Sequence, residues 1–240
     1  MHRFIVRAAL LAEDAVTLDG ARARQIAVVL RMKPGDEITF VAGGSEAIAV
    51  LETVERDHVV ARIRERGGAS TESRVAVTLA LPLLRGDRSE EVVEAVTQLG
   101  VARILPFVAA RSVVKAIGEA KRERWERIAR ESAETARRGQ APAIGGLRTW
   151  EELFDVLPQP ILVAWEGEHE LRLRDAVPQD VTELALVIGP EGGLTEEEIA
   201  LARANQAIVV TLGVRNLRAE TAAIAAVAIA MDALDQTIPE

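Results

Sequence analysis

Leu184-Ala-Leu-Val-Ile-Gly-Pro-Glu-Gly-Gly-Leu-Thr-Glu-Glu-Glu-Ile199 runs from an apolar strand through a glycine turn into the start of a helix. Leu184–Ile188 carries no polar residue, the pattern of a parallel strand buried on both faces. Gly189-Pro-Glu-Gly-Gly193 then lies at the carboxyl end of a sheet, where α/β proteins bind ligands. Its glycines allow positive φ and close backbone approach; the same residues would also serve a plain strand-to-helix turn. Thr195 and Glu198 have capping-box spacing, and Glu196 and Glu197 crowd the positive end of the helix dipole. The turn is neither Gly-x-Gly-x-x-Gly nor a triphosphate loop ending in Gly-Lys-Ser/Thr. Carboxylates at the helix start repel phosphate, so a neutral or cationic ligand fits better.

Working outward, the same rhythm repeats. Val75–Leu84, Ala102–Val108, Ile161–Ala164 and Ile208–Leu212 read as further strands. Helical spacing covers Ser89–Leu99, Glu119–Arg138, Thr195–Ala204 and Glu220–Leu234. Strands alternating with helices predict an α/β domain with a mostly parallel sheet. The amino-terminal part differs. Arg3–Val6, Glu37–Val41, Ala47–Leu51 and His58–Ile63 are short and β-branched, with turn signals at Lys33–Asp36 and Gly43–Ser45 and one short helix over Ala21–Leu30. That pattern predicts a small β-barrel. The polar stretch Gly67–Ser73 marks the boundary, giving domains at 1–70 and 75–240.

A second strand–loop–helix segment, Leu212-Gly-Val-Arg-Asn-Leu-Arg-Ala-Glu-Thr-Ala222, places Arg215 and Arg218 where arginine is otherwise scarce. Glu220 and Thr221 open an alanine-rich helix suited to close packing. The plain alternative for Arg218 and Glu220 is a surface ion pair. Trp125 lies on an apolar helical stripe and is assigned to the core or a dimer interface; Trp165, ending a strand beside the loops, is assigned to core packing.

Composition narrows the chemistry. The 240 residues include no cysteine, which excludes disulfides and thiolate chemistry, and three scattered histidines, which argue against a metal cluster. The net charge of −8 is uneven: 10 basic and 10 acidic residues in 1–70, 13 and 10 in 71–138, 6 and 17 in 139–240. An anionic partner should therefore meet the first two segments or isolated arginines of the third. The longest uncharged apolar stretch, Ala222–Met231, is too short to cross a bilayer, so a soluble cytoplasmic protein is expected.

The paired motifs IGPEGGLTEEEI and LGVRNLRAETA resemble the signature of the RsmE family, SPOUT-class methyltransferases of small-subunit (16S) ribosomal RNA. Arg3-Phe4, Val29-Leu-Arg31 with Gly35-Asp36, Leu99-Gly-Val101, Pro106, Arg111-Ser-Val113, Arg138 and Pro142 are similar to the family in the same order. The resemblance implies a PUA-like RNA-binding barrel followed by a SPOUT α/β domain with a trefoil knot. It also implies a homodimer, bound S-adenosylmethionine, no metal, and methylation of uridine N3 in small-subunit ribosomal RNA or the assembled small subunit. On this reading the cofactor is held by Leu162, Ala164, Gly189, Pro190, Glu191, Gly192, Gly193, Leu212, Gly213, Leu217 and Thr221. Arg218 supplies a cation and Glu220 orients or acts as base.

RNA contact is assigned to Arg3, Arg31, Arg111, Arg137 and Arg138, because guanidinium groups bind phosphates in bidentate fashion. With seven aromatic residues in the chain, recognition should rest on RNA shape and backbone and weaken steeply with salt. The chain departs from the family pattern at Gln25, at Ala95 and Gln98, at Thr135 and at Asn216, most of them outside the cofactor loops. Two other readings compete: a related methyltransferase acting on transfer RNA, and a non-catalytic RNA-binding or ribosome-assembly protein that keeps the fold. A nucleotide-dependent enzyme ranks behind them, since the phosphate-loop lysine is missing.

Overall fold

The computed structural model describes residues 2–68 and 72–234, which divide into two compact units. The first unit comprises Met1–Glu72 together with Ala133–Ala141. Its elements are β1 (His2–Ile5), α1 (Ala8–Ala12), β2 (Ala15–Asp19), α2 (Ala21–Arg24), β3 (Glu37–Ala42), β4 (Ser45–Val54) and β5 (His58–Gly68). They form one five-stranded sheet in the order β1-β3-β4-β5-β2, antiparallel except for the parallel pair β1 and β3. Alternation drives it. Val16 and Leu18 of β2 point inward with Phe4, Ile26, Ile38, Phe40, Leu51 and Val59, while Thr17 and Asp19 of β2 meet water. The helix expected over Ala21–Leu30 forms in two parts, α2 and a wider π-helical turn over Gln25–Val29. β2 was not foreseen, because Ala15-Val-Thr-Leu-Asp19 alternates for too few residues to stand out.

Residues 133–141, placed by sequence in the second domain, pack with the first unit because two charged side chains hold them there. Glu134 accepts hydrogen bonds from Arg22 (2.6 Å) and from the Ile5 N–H (2.9 Å). Arg138 donates to Glu72 (2.6 Å), whose carboxylate also accepts the Gly139 N–H at 2.9 Å.

The second unit comprises Ser73–Ser132 and Pro142–Glu240. Its strands are β6 (Ala76–Pro82), β7 (Arg103–Val108), β8 (Ala143–Ile144), β9 (Arg148–Thr149), β10 (Ile161–Ala164), β11 (Glu183–Ile188) and β12 (Ile208–Val210). All pair in parallel, in the order β12-β10-β11-β6-β7-β8, with β9 also on β7. The helices are α3 (Arg88–Gln98), α4 (Glu119–Thr135), α5 (Trp150–Leu153), α6 (Leu173–Ala176), α7 (Glu196–Ala204) and α8 (Ala219–Leu234); α4 ends among the residues grouped with the first unit.

Period-two alternation divides the strands between two cores. Leu184, Leu186 and Ile188 of β11 join Leu79, Leu81, Val92, Trp125, Ala223 and Val227 on one face. Ala185 and Val187 join Phe107, Trp150, Leu153, Ile199 and Ala202 on the other. Burial on both faces explains why these strands read as unbroken apolar runs. Trp125 is fully buried in the first core. The buried alanines of α8, among them Ala223, Ala226 and Ala230, let its backbone approach β6, β11 and α3. No helix among the described residues is long and apolar enough to cross a membrane.

Candidate functional site

Because β10, β11 and β12 run parallel side by side, the loops that leave their carboxyl ends open on the same edge of the sheet. They enclose a cavity of about 650 Å³ in the second unit. Its wall takes Ala164, Trp165 and Glu166 from the end of β10, Ile188 and Gly189–Gly193 from β11, and Thr211–Gly213 and Arg215–Ala219 from β12. Ala222 of α8 and Arg88, at the start of α3, complete the lining.

The Gly189–Gly193 loop is built to close tolerances. The Gly193 N–H bonds to the Pro190 carbonyl at 2.9 Å, and Gly193 holds φ at +73°. A β-carbon on Gly193 would overlap Glu166 Oε1. One on Gly192 would lie 2.8 Å from Arg111 Cβ and 3.1 Å from the Arg111 carbonyl oxygen. Arg111 in turn donates to the Gly192 carbonyl at 3.2 Å. At the start of α7, Glu198 accepts the Thr195 N–H (2.8 Å) and Thr195 Oγ1 accepts the Glu198 N–H (3.1 Å), completing the capping box. Glu198 also accepts the Ala110 N–H at 2.7 Å. Glu197 is held below the usual carboxylate range by its own backbone N–H and the Thr195 hydroxyl, with the Arg111 charge adding to both.

Several expected residues meet here. Ala164, Gly189, Pro190, Glu191, Gly192, Gly193, Leu212, Gly213, Leu217 and Arg218 line the cavity. Three do not: Leu162 is buried in the core, one pleat repeat below Ala164, Thr221 faces solvent on α8, and Glu220 lies outside the wall. Glu196 and Glu197 are also absent from the wall. The acidic groups that face the cavity are Glu166 and Glu191, so the case against phosphate moves from the helix start to the strand ends.

The charges are specifically arranged. Glu166, Arg215 and Arg218 line the cavity with no side-chain hydrogen bond or ion pair among the described residues. Glu220 does not pair with Arg218. Its Oε1 lies 3.8 Å from Arg88 Nε, and its Oε2 is buried without a hydrogen-bond partner. Arg88 Nη1 lies 3.7 Å from Glu191 Oε1, which accepts the Arg85 N–H at 3.1 Å.

Sequence reasoning missed Arg88; Trp165, assigned to core packing, packs against the second core and also borders the cavity, covering Gly167. The signal for Arg88 was its place in the loop after β6, the strand beside β11. Among the described residues no group of three or more His, Asp or Glu side chains could hold a metal ion.

The arginines assigned to RNA separate into different classes. Arg138 is 3% exposed and bound to Glu72, a placement unlike that of an exposed phosphate contact. Arg3 pairs with Glu46 at 2.8 Å and is largely covered. Arg111 is exposed but bonded to the glycine loop. Arg31 and Arg137 adopt positive φ, and Arg31 is exposed.

Comparison with known proteins gives the chemistry a context. A family model described as RNA methyltransferase domain matches residues 71–231. Ribosomal RNA small subunit methyltransferase E of Bacillus subtilis (strain 168) is 34% identical, the match covering 88% of this chain and 88% of that protein. The protein of the same name from a Synechocystis strain is 31% identical over 95% of this chain and 76% of that protein. A crystal structure of ribosomal RNA small subunit methyltransferase E from Neisseria gonorrhoeae bound to S-adenosyl methionine superposes with a TM-score of 0.90. It is 29% identical, and the superposition covers 99% of this chain and 100% of that one.

Proposed function

The chain belongs to the RNA methyltransferase domain family, and from that premise we propose that it methylates N3 of a uridine in small-subunit ribosomal RNA, using S-adenosylmethionine. The observation that carries the reading is the cavity at the ends of β10, β11 and β12, with Arg218 unpaired in its wall and Glu220 behind it. A cavity of about 650 Å³ is within the range that holds a ligand of this size, roughly 300–1,000 Å³.

The lining suits the cofactor. S-adenosylmethionine carries no phosphate, and no lysine-bearing phosphate loop is present. When bound it supplies a methyl group on a cationic sulfur. Backbone groups of Gly189–Gly193 and Leu212–Leu217 would hold its adenosyl and methionine parts. Glu166, unpaired and pressed against Gly193, would face a cationic portion, and Trp165 would shield that end from water.

Uridine N3 carries a proton that must leave before the nitrogen can attack the methyl group. Glu220, next to Ala219 of the wall, would accept the N3–H and orient it once its Oε2, buried and unpartnered here, is uncovered to the base. The Arg218 guanidinium would stabilise the negative charge that develops on the ring as the proton leaves. Replacing Arg218 with Ala should cut methyl transfer by about 100-fold or more while cofactor affinity is retained; unchanged turnover would refute the assignment.

The same reading takes the first unit as a PUA-like RNA-binding module and the second as a trefoil-knotted SPOUT domain, acting as a homodimer in the cytoplasm. Arg31 and Arg137, both exposed and both on positive-φ backbone, are the candidate phosphate contacts. The decisive experiment is to incubate the protein with small subunits and S-adenosylmethionine and to map the modified base by mass spectrometry. An N3-methyluridine at one position supports the proposal. A methyl group found only on transfer RNA, or none on any RNA, overturns it.

A further inference from the structure

Arg88 connects three segments that lie far apart in the chain. It sits at the first position of α3, after the loop that leaves β6, and its side chain lines the cavity. One edge of its guanidinium approaches Glu191 in the glycine loop, Nη1 to Oε1 at 3.7 Å, and the other approaches Glu220 at the start of α8, Nε to Oε1 at 3.8 Å. These are ion-pair distances beyond hydrogen-bond reach, so Arg88 orders the carboxylates by charge rather than by direct donation. Glu191 has a second tie, the Arg85 N–H. Glu220 has no other ion pair among the described residues, and its side chain is 15% exposed. A carboxylate this covered needs a compensating charge, and Arg88 supplies it.

We infer that Arg88 is a positioning residue: it fixes the direction of the Glu220 carboxylate, whose Oε2 has no hydrogen-bond partner, and ties that carboxylate to the glycine loop through Glu191. The inference rests on the proposed role of Glu220 in proton acceptance. Arginine suits the position because its charge is spread over a planar group that lies near both carboxylates at once, whereas a lysine ammonium concentrates it at one point.

The test is a double-mutant cycle on the full-length protein, with methyl transfer to small subunits as the readout and cofactor binding followed by calorimetry. R88A should lower kcat by about 10- to 100-fold, the scale seen when a residue that orients a functional group is removed. KM for RNA and cofactor affinity should move far less. R88K should recover part of the lost kcat. R88A/E220Q should be no slower than E220Q alone, because Arg88 then has no functional carboxylate left to orient.

Losses from R88A and E220Q that simply multiply would overturn the inference, as would full activity in R88A. A loss confined to cofactor affinity and absorbed by E191Q would overturn it too, by assigning Arg88 to the glycine loop alone. If R88A fails to fold, R88Q and R88K carry the same cycle. A wild-type protein that methylates a different base sinks the uridine reading while the cycle stays readable on that base, so the two failures are separable.

Discussion

Substituting Gly193 with Ala tests how the glycine loop shapes the cavity. Gly193 stands at φ +73°, where an L residue with a β-carbon is strained by about 1–2 kcal/mol. For a chain of this size that corresponds to a fall in melting temperature of about 2–8 °C. The new methyl group would also overlap Glu166 Oε1. That carboxylate ends a flexible side chain, so it swings away while the loop keeps its course. The substitution therefore removes Glu166 from the wall without touching it in sequence.

Gly213→Ala is the natural control: its φ is +113° and no atom lies within 4 Å of an added β-carbon, so it brings strain alone. Both variants should melt earlier in a thermal scan. In calorimetric titrations Gly193→Ala should lose more affinity for S-adenosylmethionine than Gly213→Ala does. The difference should shrink for S-adenosylhomocysteine, whose sulfur is uncharged, and should vanish when both substitutions are made in a Glu166→Gln background. A Gly193→Ala protein with wild-type melting and wild-type affinity would refute both the strain and the role of Glu166.

Three other expectations follow from single contacts. Glu72→Gln should destabilise the first unit by about 3 kcal/mol, near the lower end for breaking a covered ion pair because Glu72 is 19% exposed, as read by urea unfolding. Glu168 is held below the usual carboxylate range, first by the Glu170 and Leu171 N–H groups and then by that of His169, with the Arg203 charge assisting. Its support for this turn is complete above the unfolded carboxylate value and is lost as pH falls through the lower folded one. Exchange protection of amides 169–171 should thus hold from neutral pH down through the ordinary carboxylate range and be lost only below it, and Glu168→Gln should show no such acid loss. Arg138→Ala should impair folding, and any soluble fraction should keep the wild-type salt dependence of RNA binding, since a buried guanidinium releases no counterions.

The parallel sheet was legible because its central strands β6, β10 and β11 are almost wholly buried and apolar on both faces. Ile161–Ala164 and Leu184–Ile188 stand out for that reason, and the glycine loop follows directly from the second. Thr195 and Glu198 announced the helix start through a spacing that only a capping box explains. The first unit was harder to read. β2 is short, and the stretch after α2 widens into a π-helical turn that still carries helical spacing. Residues 133–138 read as the end of one amphipathic helix, Glu119–Arg138. What binds them to the first unit is a pair of ion contacts, and partners separated by 66 or 112 residues leave no local trace.

The charge of the cavity shows the same limit with a functional consequence. The last segment is strongly acidic, and its densest acidic run, Glu196–Glu198, lies beside the expected ligand loops in sequence. In space that run caps a helix and stays out of the cavity wall. The wall combines the carboxylates of Glu166 and Glu191 with Arg88, Arg215 and Arg218, and Arg88 is absorbed by Glu191 and Glu220. What remains unpaired is one carboxylate on the β10 side and two guanidiniums on the β12 side. A ligand set that satisfies both must present a positive group to the first and a negative one to the second. A sulfonium cofactor beside an RNA strand meets that requirement, whereas a nucleoside triphosphate would leave Glu166 facing its own charge.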